Sequence, residues 1–264
     1  MAHALKVLVV STDAPRAPLD KKRISQEISR YWRVSVVEVT GSTQDDLFEL
    51  ASSASAIPKT ILASEFQSNG RGRLDRSFEA AAHSALTFSI YIEPKVEKEE
   101  WSFLTLLAGV SVHEALHTLD PQIQVGVKWP NDLLIGEKKF AGMIAQATAK
   151  GVVIGIGINV GMSVGELPVE NATSLAIEDF AILDRNAILA AIINHFEINL
   201  EMWENDQSFL AQYRSASVTL GRDVEVTLPG GEILKSRAID ISNAGGLMLE
   251  NGSEITVGDV VHLR

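Results

Sequence analysis

Val152-Val153-Ile154-Gly155-Ile156-Gly157-Ile158-Asn159-Val160 is the stretch on which the fold turns. Its β-branched residues predict a strand, and alternation sends Ile154, Ile156 and Ile158 to one face, with Gly155, Gly157 and Asn159 on the other. The isoleucine face belongs to a core. The glycine face has no side-chain bulk, so either a flat ring or a packed helix fits against its backbone, with the Asn159 amide beside it.

Outward from this strand the pattern is mixed α/β. Upstream, Leu133–Ile135, a turn at Gly136-Glu137-Lys138, and Phe140–Ala147 predict a hairpin, preceded by a strand Val125–Trp129 that Pro130 stops. Trp101, Leu104, Ala108, Val112, Ala115 and Leu119 recur at helical spacing and predict a helix from about Glu100 to Leu119 with one apolar stripe. Further strands are expected at Leu5–Val10, Val34–Val39, Thr60–Phe66 and Ala85–Ile92. Helices are expected over Lys21–Trp32, capped by Asp20, and from a Thr43/Asp46 cap to about Ala54. Downstream, Asp184 caps a helix to about Glu204, and a short helix covers Ser208–Arg214. From Ser217 short strands alternate with turns (Val224–Leu228, Ile233–Ile241, Leu247–Glu250, Val260–Leu263), which predicts a small SH3-like β-barrel.

Composition bounds the function. The 264 residues can hold one large core and a small appendage. With no cysteine, disulfides, thiolate metal sites and cysteine nucleophiles are excluded, and a reducing compartment fits. The N-terminal apolar run is too short for a secretory core, and no stretch approaches the roughly 20 apolar residues that span a bilayer, so a cytoplasmic protein is expected. A net charge of −11 argues against non-specific nucleic-acid binding. The Lys21-Lys22-Arg23 triplet reads as a solvated helix face.

Two segments carry chemistry. Residues 65–78, Glu-Phe-Gln-Ser-Asn-Gly-Arg-Gly-Arg-Leu-Asp-Arg-Ser-Phe, form a flexible cationic loop between strand-like runs. Glycines let backbone N–H groups approach a ligand, and guanidinium groups grip phosphate or carboxylate bidentately. Lys128-Trp129-Pro130-Asn131-Asp132 places a lysine at an exposed strand end.

With these go Ser42-Thr43 opening a helix, Gln67 ahead of Gly70-Arg71-Gly72-Arg73, Lys139-Phe140-Ala141-Gly142, Gly155–Asn159 and Ala172-Thr173-Ser174-Leu175. In this order across about residues 40–264 the chain resembles the biotin protein ligases. The resemblance implies an α+β catalytic domain of the class II synthetase-like type over 1–216, with a mixed sheet flanked by helices, and an SH3-like domain over 217–264. It implies attachment of biotin to a lysine of a biotin carboxyl carrier domain through biotinyl-AMP, with ATP and Mg²⁺. Lys128 and Arg73 are then catalytic. Ser42, Thr43, Gln67, Gly70, Arg71, Lys128 and Gly142 bind biotin. Arg71, Arg73, Arg76, Phe78, Asn131, Gly155, Gly157 and Asn159 border ATP or the adenylate, and Asn131 and Asp132 are candidates for Mg²⁺. The chain departs from the pattern at Gln44 (asparagine is usual), Asp75 (glycine), Phe78 (tryptophan) and Gln146 (glutamate). No DNA and no membrane partner is implied, and a homodimer is allowed.

Two rivals concern other enzyme classes. His113-Glu114-Ala115-Leu116-His117 has zinc-peptidase spacing, but both histidines fall off the apolar stripe and no third ligand helix follows. Lipoate ligases and octanoyltransferases share fold and carrier chemistry, yet the Lys-Trp-Pro-Asn-Asp segment and the terminal β unit favour biotin. A DNA-binding biotin regulator is disfavoured, because the 41 residues before Ser42 show no second helix for a groove.

Overall fold

The computed structural model describes residues 16–53, 55–73 and 76–263. The strand expected at Leu5–Val10 and the departure at Asp75 lie outside the described residues.

The glycine–isoleucine stretch, β7 (Val152–Asn159), is the middle strand of a seven-stranded sheet. On one side follow β3 (Ala85–Ile92), β2 (Thr60–Gln67) and edge strand β1 (Arg33–Thr40). On the other follow β6 (Lys138–Ala147), β5 (Asp132–Ile135) and edge strand β4 (Val125–Lys128). Among the described residues only strands β1 and β2 pair in parallel; they are joined by a crossover through α2 (Thr43–Ser52), as a parallel pair requires. The remaining pairs are antiparallel, so the sheet is mixed and the fold α+β.

The two faces are covered unequally, and this creates the site. Ile154, Ile156 and Ile158 join the main core, together with α3 (Phe103–Leu119) and α4 (Arg185–Glu204), against which α1 (Lys21–Glu27) packs. On the opposite face α2 covers only one end, through a small cluster of Leu47, Ala51, Leu62, Tyr91 and Val153. Farther along that face, Gly155 meets Gln44 from the first turn of α2 and Gly157 meets the Phe78 ring.

α5 (Leu210–Ala216) leads into a second, antiparallel sheet. Its strands are β8 (Asp223–Thr227), β9 (Ile233–Ile241), β10 (Leu247–Leu249), β11 (Glu254–Ile255) and β12 (Asp259–His262). Strand order is β11-β10-β9-β8-β12, and pairing ends at β11 and β12, so the sheet is open.

Several local expectations are corrected. α1 stops at Glu27 rather than Trp32, because Ile28 turns extended and Trp32 is drawn edge-on against Phe196 in the core. The cap of α2 is Ser42, whose hydroxyl accepts from Asp45 N, while the Thr43 hydroxyl turns inward to Ser89. α3 is buried almost all round instead of along one stripe, since the sheet and α4 enclose it, with Asn199 of α4 donating to Ser111 at 3.0 Å. Strand β11 is two residues long, too short to show alternation in sequence.

Candidate active site

Antiparallel register builds the floor of the site. Across three strands, Ser89, Gly155 and Ile144 form one row, and Thr87, Gly157 and Gly142 form the next. All six line a cavity of about 130 Å³, closed by the N-terminus of α2, the cationic loop and Asp259 of β12.

The vitamin-binding candidates come together at the α2 end. Ser42 and Thr43 are buried, and the Thr43 amide donates to Gln67 Oε1 at 2.7 Å, which joins the Ser-Thr pair to the glutamine before the loop. Gly142 lies in the wall; Gly70 does not, and serves the loop instead, where its carbonyl accepts from Phe78 N at 2.8 Å. The space beside Gly155 is filled by Gln44 Oε1, and that beside Gly157 by the Phe78 ring: a Cβ at either position would approach them to 2.7 Å. In this structure the Phe78 ring occupies the ground beside Gly157.

The loop is a narrow hairpin, with an Arg71–Ser77 bridge and Gly72 N donating to Arg76 O at 2.7 Å. Arg71, Arg73 and Arg76 all line the cavity, and each is held by an acceptor. Arg71 pairs with Asp45 at 2.6 Å. Arg73 donates to Asn131 Oδ1 at 2.8 Å and to Gly258 O at 3.0 Å. Arg76 pairs with Asp259. Burial pushes the Arg73 guanidinium below its ordinary pKa, whereas the bond to Asp259 raises that of Arg76.

Lys128 is half-buried at the end of β4 and does not itself line the cavity. It acts electrostatically with Asp132, Asp259, Lys139 and Arg76, four groups that do. Burial lowers its pKa first; Lys139 and Arg76 add to this, and the two carboxylates oppose it. Asn159 is also outside the wall: its side-chain amide donates to Thr173 O at 2.9 Å and its backbone carbonyl accepts from Leu175 N at 3.0 Å. It fastens the Ala-Thr-Ser-Leu segment to the sheet. The two Mg²⁺ candidates are engaged within the protein. Asn131 accepts from Arg73 and donates to Met143 O at 2.9 Å, and Asp132 Oδ1 stands 2.6 Å from Lys139 Nζ.

Gln44, Thr87, Ser89, Lys139 and Asp259 line the cavity without having been assigned a role from sequence. Thr87 and Ser89 had a signal: they alternate with Leu86, Phe88 and Ile90 in a strand whose eight residues are all buried. Asp259 had none, since it meets Arg76 from 183 residues away. The zinc-like histidines lie elsewhere, on α3, where His113 Nδ1 is 2.9 Å from Val125 O and Glu114 accepts from Asn199 at 2.8 Å. Among the described residues no three metal-binding side chains gather.

The cavity is walled by neutral polar groups at one end and, at the other, by Arg71, Arg73, Arg76 and Lys139 with Asp132 and Asp259. Residues 36–163 match the model of the Biotin/lipoate A/B protein ligase family. The chain is 35% identical to the biotin–[acetyl-CoA-carboxylase] ligase of Mycobacterium tuberculosis, over 96% of this chain and 98% of that protein. It is 30% identical to the bifunctional ligase/repressor BirA of Escherichia coli, over 88% of this chain and 74% of that protein. Among solved structures, the biotin protein ligase from Aquifex aeolicus in complex with biotin and ATP superposes with a TM-score of 0.76 at 29% identity, covering 88% of this chain and 99% of that one. The chain belongs to the biotin/lipoate protein ligase family.

Proposed function

We propose that this chain is a biotin–[biotin carboxyl carrier protein] ligase, joining biotin to a carrier lysine at the expense of ATP. The observation that carries the reading is the two-ended cavity: a buried neutral polar end at Ser42, Thr43 and Gln67 suits an uncharged ureido ring, and the arginine hairpin suits a carboxylate meeting a triphosphate.

In the first step a biotin carboxylate oxygen attacks the α-phosphorus of ATP, a P–O bond forms, and pyrophosphate leaves with the electron pair of the broken bond. Two anions must approach, and at 4 Å a unit-charge pair is worth about 4 kcal/mol at an effective dielectric of 20. Arg71, Arg73 and Lys128 offset that repulsion. Their acceptors in this structure, Asp45, Asn131 and Gly258 O, are replaced by substrate oxygens as the loop closes. Asn131 and Asp132 contact Arg73 and Lys139 in this structure. Once Arg73 turns to substrate, the Asn131 oxygen and the Asp132 carboxylate would be the groups to hold a magnesium ion, which would share charge compensation with the chain's cations.

In the second step the carrier's neutral lysine amine attacks the acyl carbon of biotinyl-AMP and a C–N bond forms. The acyl C–O bond to phosphate breaks with its electron pair leaving on AMP, and the nitrogen gives up one proton to the AMP phosphate or to solvent. Phe78 and the hairpin exclude water from the mixed anhydride meanwhile. The open terminal sheet, residues 217–264, is read as the SH3-like unit; through Gly258 and Asp259 it braces the hairpin. The partner is the carrier domain of a biotin-dependent carboxylase.

Biotin-dependent exchange of labelled pyrophosphate into ATP tests the first step. Mass spectrometry of an apo carrier domain after incubation with biotin, ATP and the protein tests the second. Absence of biotin addition to the carrier lysine under conditions where the adenylate forms would exclude the transfer reaction.

A further inference from the structure

We propose that His262 is a positioning residue for the reaction: acting through Thr219, it fixes the end of β4 that presents Lys128. The proposal rests on the ligase reading above, in which Lys128 holds substrate oxygens.

β4 ends the row of strands in the main sheet, so its outer backbone groups need partners from elsewhere if the lysine at its tip is to stay in place. Residues 217–219 supply them, through a parallel bridge between Val127 and Ser217. Val218 N donates to Val127 O at 2.9 Å, and the Thr219 hydroxyl accepts from Trp129 N at 3.1 Å. The segment lies hard against the strand, since a Cβ at Gly126 would stand 2.1 Å from Val218 Cγ1. Trp129 and Thr219 are both buried. Removing the hydroxyl therefore strips the Trp129 N–H, next to Lys128, of its partner without giving it solvent.

The Thr219 hydroxyl is in turn 3.1 Å from His262 Nε2, and among the described residues these two groups are its partners. Having accepted from Trp129, it gives its own proton to Nε2, which requires a neutral imidazole with its hydrogen on Nδ1. The surroundings favour that form. Burial opposes a charge on the ring, as do Lys128 at the end of β4 and Arg222 ahead of β8, while Glu137 in the turn between β5 and β6 favours one. The bonds thus run in one direction, from backbone N–H through hydroxyl to ring. The same short strand also fixes the other cationic arm, because Arg73 donates to Gly258 O and Arg76 pairs with Asp259. β12 and the residue before it hold the hairpin and the lysine in one frame, and charged groups that must meet the same reacting atoms depend on such a frame.

Two measurements test this. Nitrogen-15 NMR near neutral pH, with the His262 signals assigned by their loss in His262→Gln, should show a neutral ring with hydrogen on Nδ1 and a bare Nε2. Hydrogen on Nε2 would overturn the proposal. Single-turnover adenylation of biotin is then compared across variants. Thr219→Val and His262→Phe should slow it by about tenfold or more, with biotin affinity within about twofold of wild type. Thr219→Ser and His262→Gln keep a hydroxyl and a neutral acceptor, and should stay within about threefold. On a Lys128→Ala background, His262→Phe should cost less than about twofold further, because a residue acting through another is not additive with it. A loss that multiplies in full on that background, or apolar variants that match the wild type, would overturn the positioning role. If either apolar variant fails to fold, as judged by its thermal melt, His262→Asn takes its place with the same expectations, its shorter side chain withdrawing the acceptor. A wild type that adenylates no biotin overturns the ligase reading instead, and the tautomer then decides by itself whether the bonds from Trp129 to His262 run as stated.

Discussion

Lys128 holds a positive charge where burial disfavours it, so its protonation is the residue-scale quantity to measure. Its pKa is shifted below the ordinary lysine value, chiefly by desolvation. If the charged form is needed to hold substrate oxygens, kcat/KM for biotin must fall on the alkaline side beginning below pH 10.5, the unperturbed value. Lys128→Arg stays charged throughout and should push that limb to higher pH, although its different geometry costs rate. Lys128→Ala should lower adenylation by roughly 10²–10³-fold, as loss of a positioned electrostatic group does. An alkaline limb that ignores both substitutions would assign the titration to another group. The contact at Gly157 is equally local. A Cβ there would stand 2.7 Å from the Phe78 ring, so Gly157→Ala must displace the phenyl group. Weaker ATP binding by calorimetry is expected, with a melting temperature that changes little because the loop side can yield.

At the scale of elements, the hairpin arms 70–73 and 76–78 and helix α2 have different sources of order. α2 starts where Ser42 is extended and caps, and its first turn carries Asp45 and Asp46, favourable at the positive end of the helix dipole. Among the described residues, the hairpin's arms are held by Phe78 N donating to Gly70 O, by Gly72 N donating to Arg76 O, and by Arg73 and Arg76 reaching the terminal sheet. Gly70 is its pivot. A Cβ at this position would come within 2.3 Å of the Phe78 carbonyl oxygen, a backbone atom that cannot swing away. Gly70→Ala should therefore shift the whole hairpin, and a misplacement of about 1 Å can cost roughly 10²-fold in rate. Single-turnover adenylation should show that loss while circular dichroism and melting stay near wild type. Asp259→Asn weakens the tie to Arg76 from the other side, and limited proteolysis should then cut the loop faster.

Over the whole molecule, one buried ion pair joins three distant parts of the chain. Glu65 of β2 and Arg185 of α4 are 2.7 Å apart, with side chains 2% and 4% exposed. Arg185 also donates to Ala85 O and Ala17 O, while Glu65 accepts from Leu19 N and stands 3.0 Å from His83 Nδ1. Arg185→Met would strand a buried carboxylate and should destabilise by about 3–5 kcal/mol in urea unfolding, whereas Glu65→Gln combined with Arg185→Met should recover part of the loss. A second global effect is acid sensitivity from the terminal sheet. Burial, aided by Lys128 and Arg222, pushes His262 down to about 4 from 6.5. The unfolded chain therefore binds the proton first, so this group's contribution to stability is present above pH 6.5 and is lost as pH falls toward 4. His262→Gln should flatten the fall in urea midpoint across that window.

Alternation and short-range chemistry were enough to read most of the elements. Ala85–Ile92 and Ile233–Ile241 are strands at their expected bounds, and Asp184 caps α4, because period-two patterns and capping oxygens act between near neighbours. The same local chemistry exposed the cationic loop and the polar Ser42-Thr43 helix start, and these with the other motifs marked the family. Helix ends and faces were less legible: α1 stops where Trp32 is claimed by Phe196, and α3 is enclosed because α4 arrives from the other half of the chain. The gathering of Ser89, Gly155 and Ile144 in one row depends on strand register, and Asp259 reaches Arg76 only because the second sheet folds back onto the first domain's loop. Sequence by itself thus determined most of the strands, helices and loops and which cationic and polar segments the chain offers to a ligand. The tertiary structure alone decided which of those groups share a cavity, since contacts between residues far apart in the chain are set by packing and leave no periodic mark.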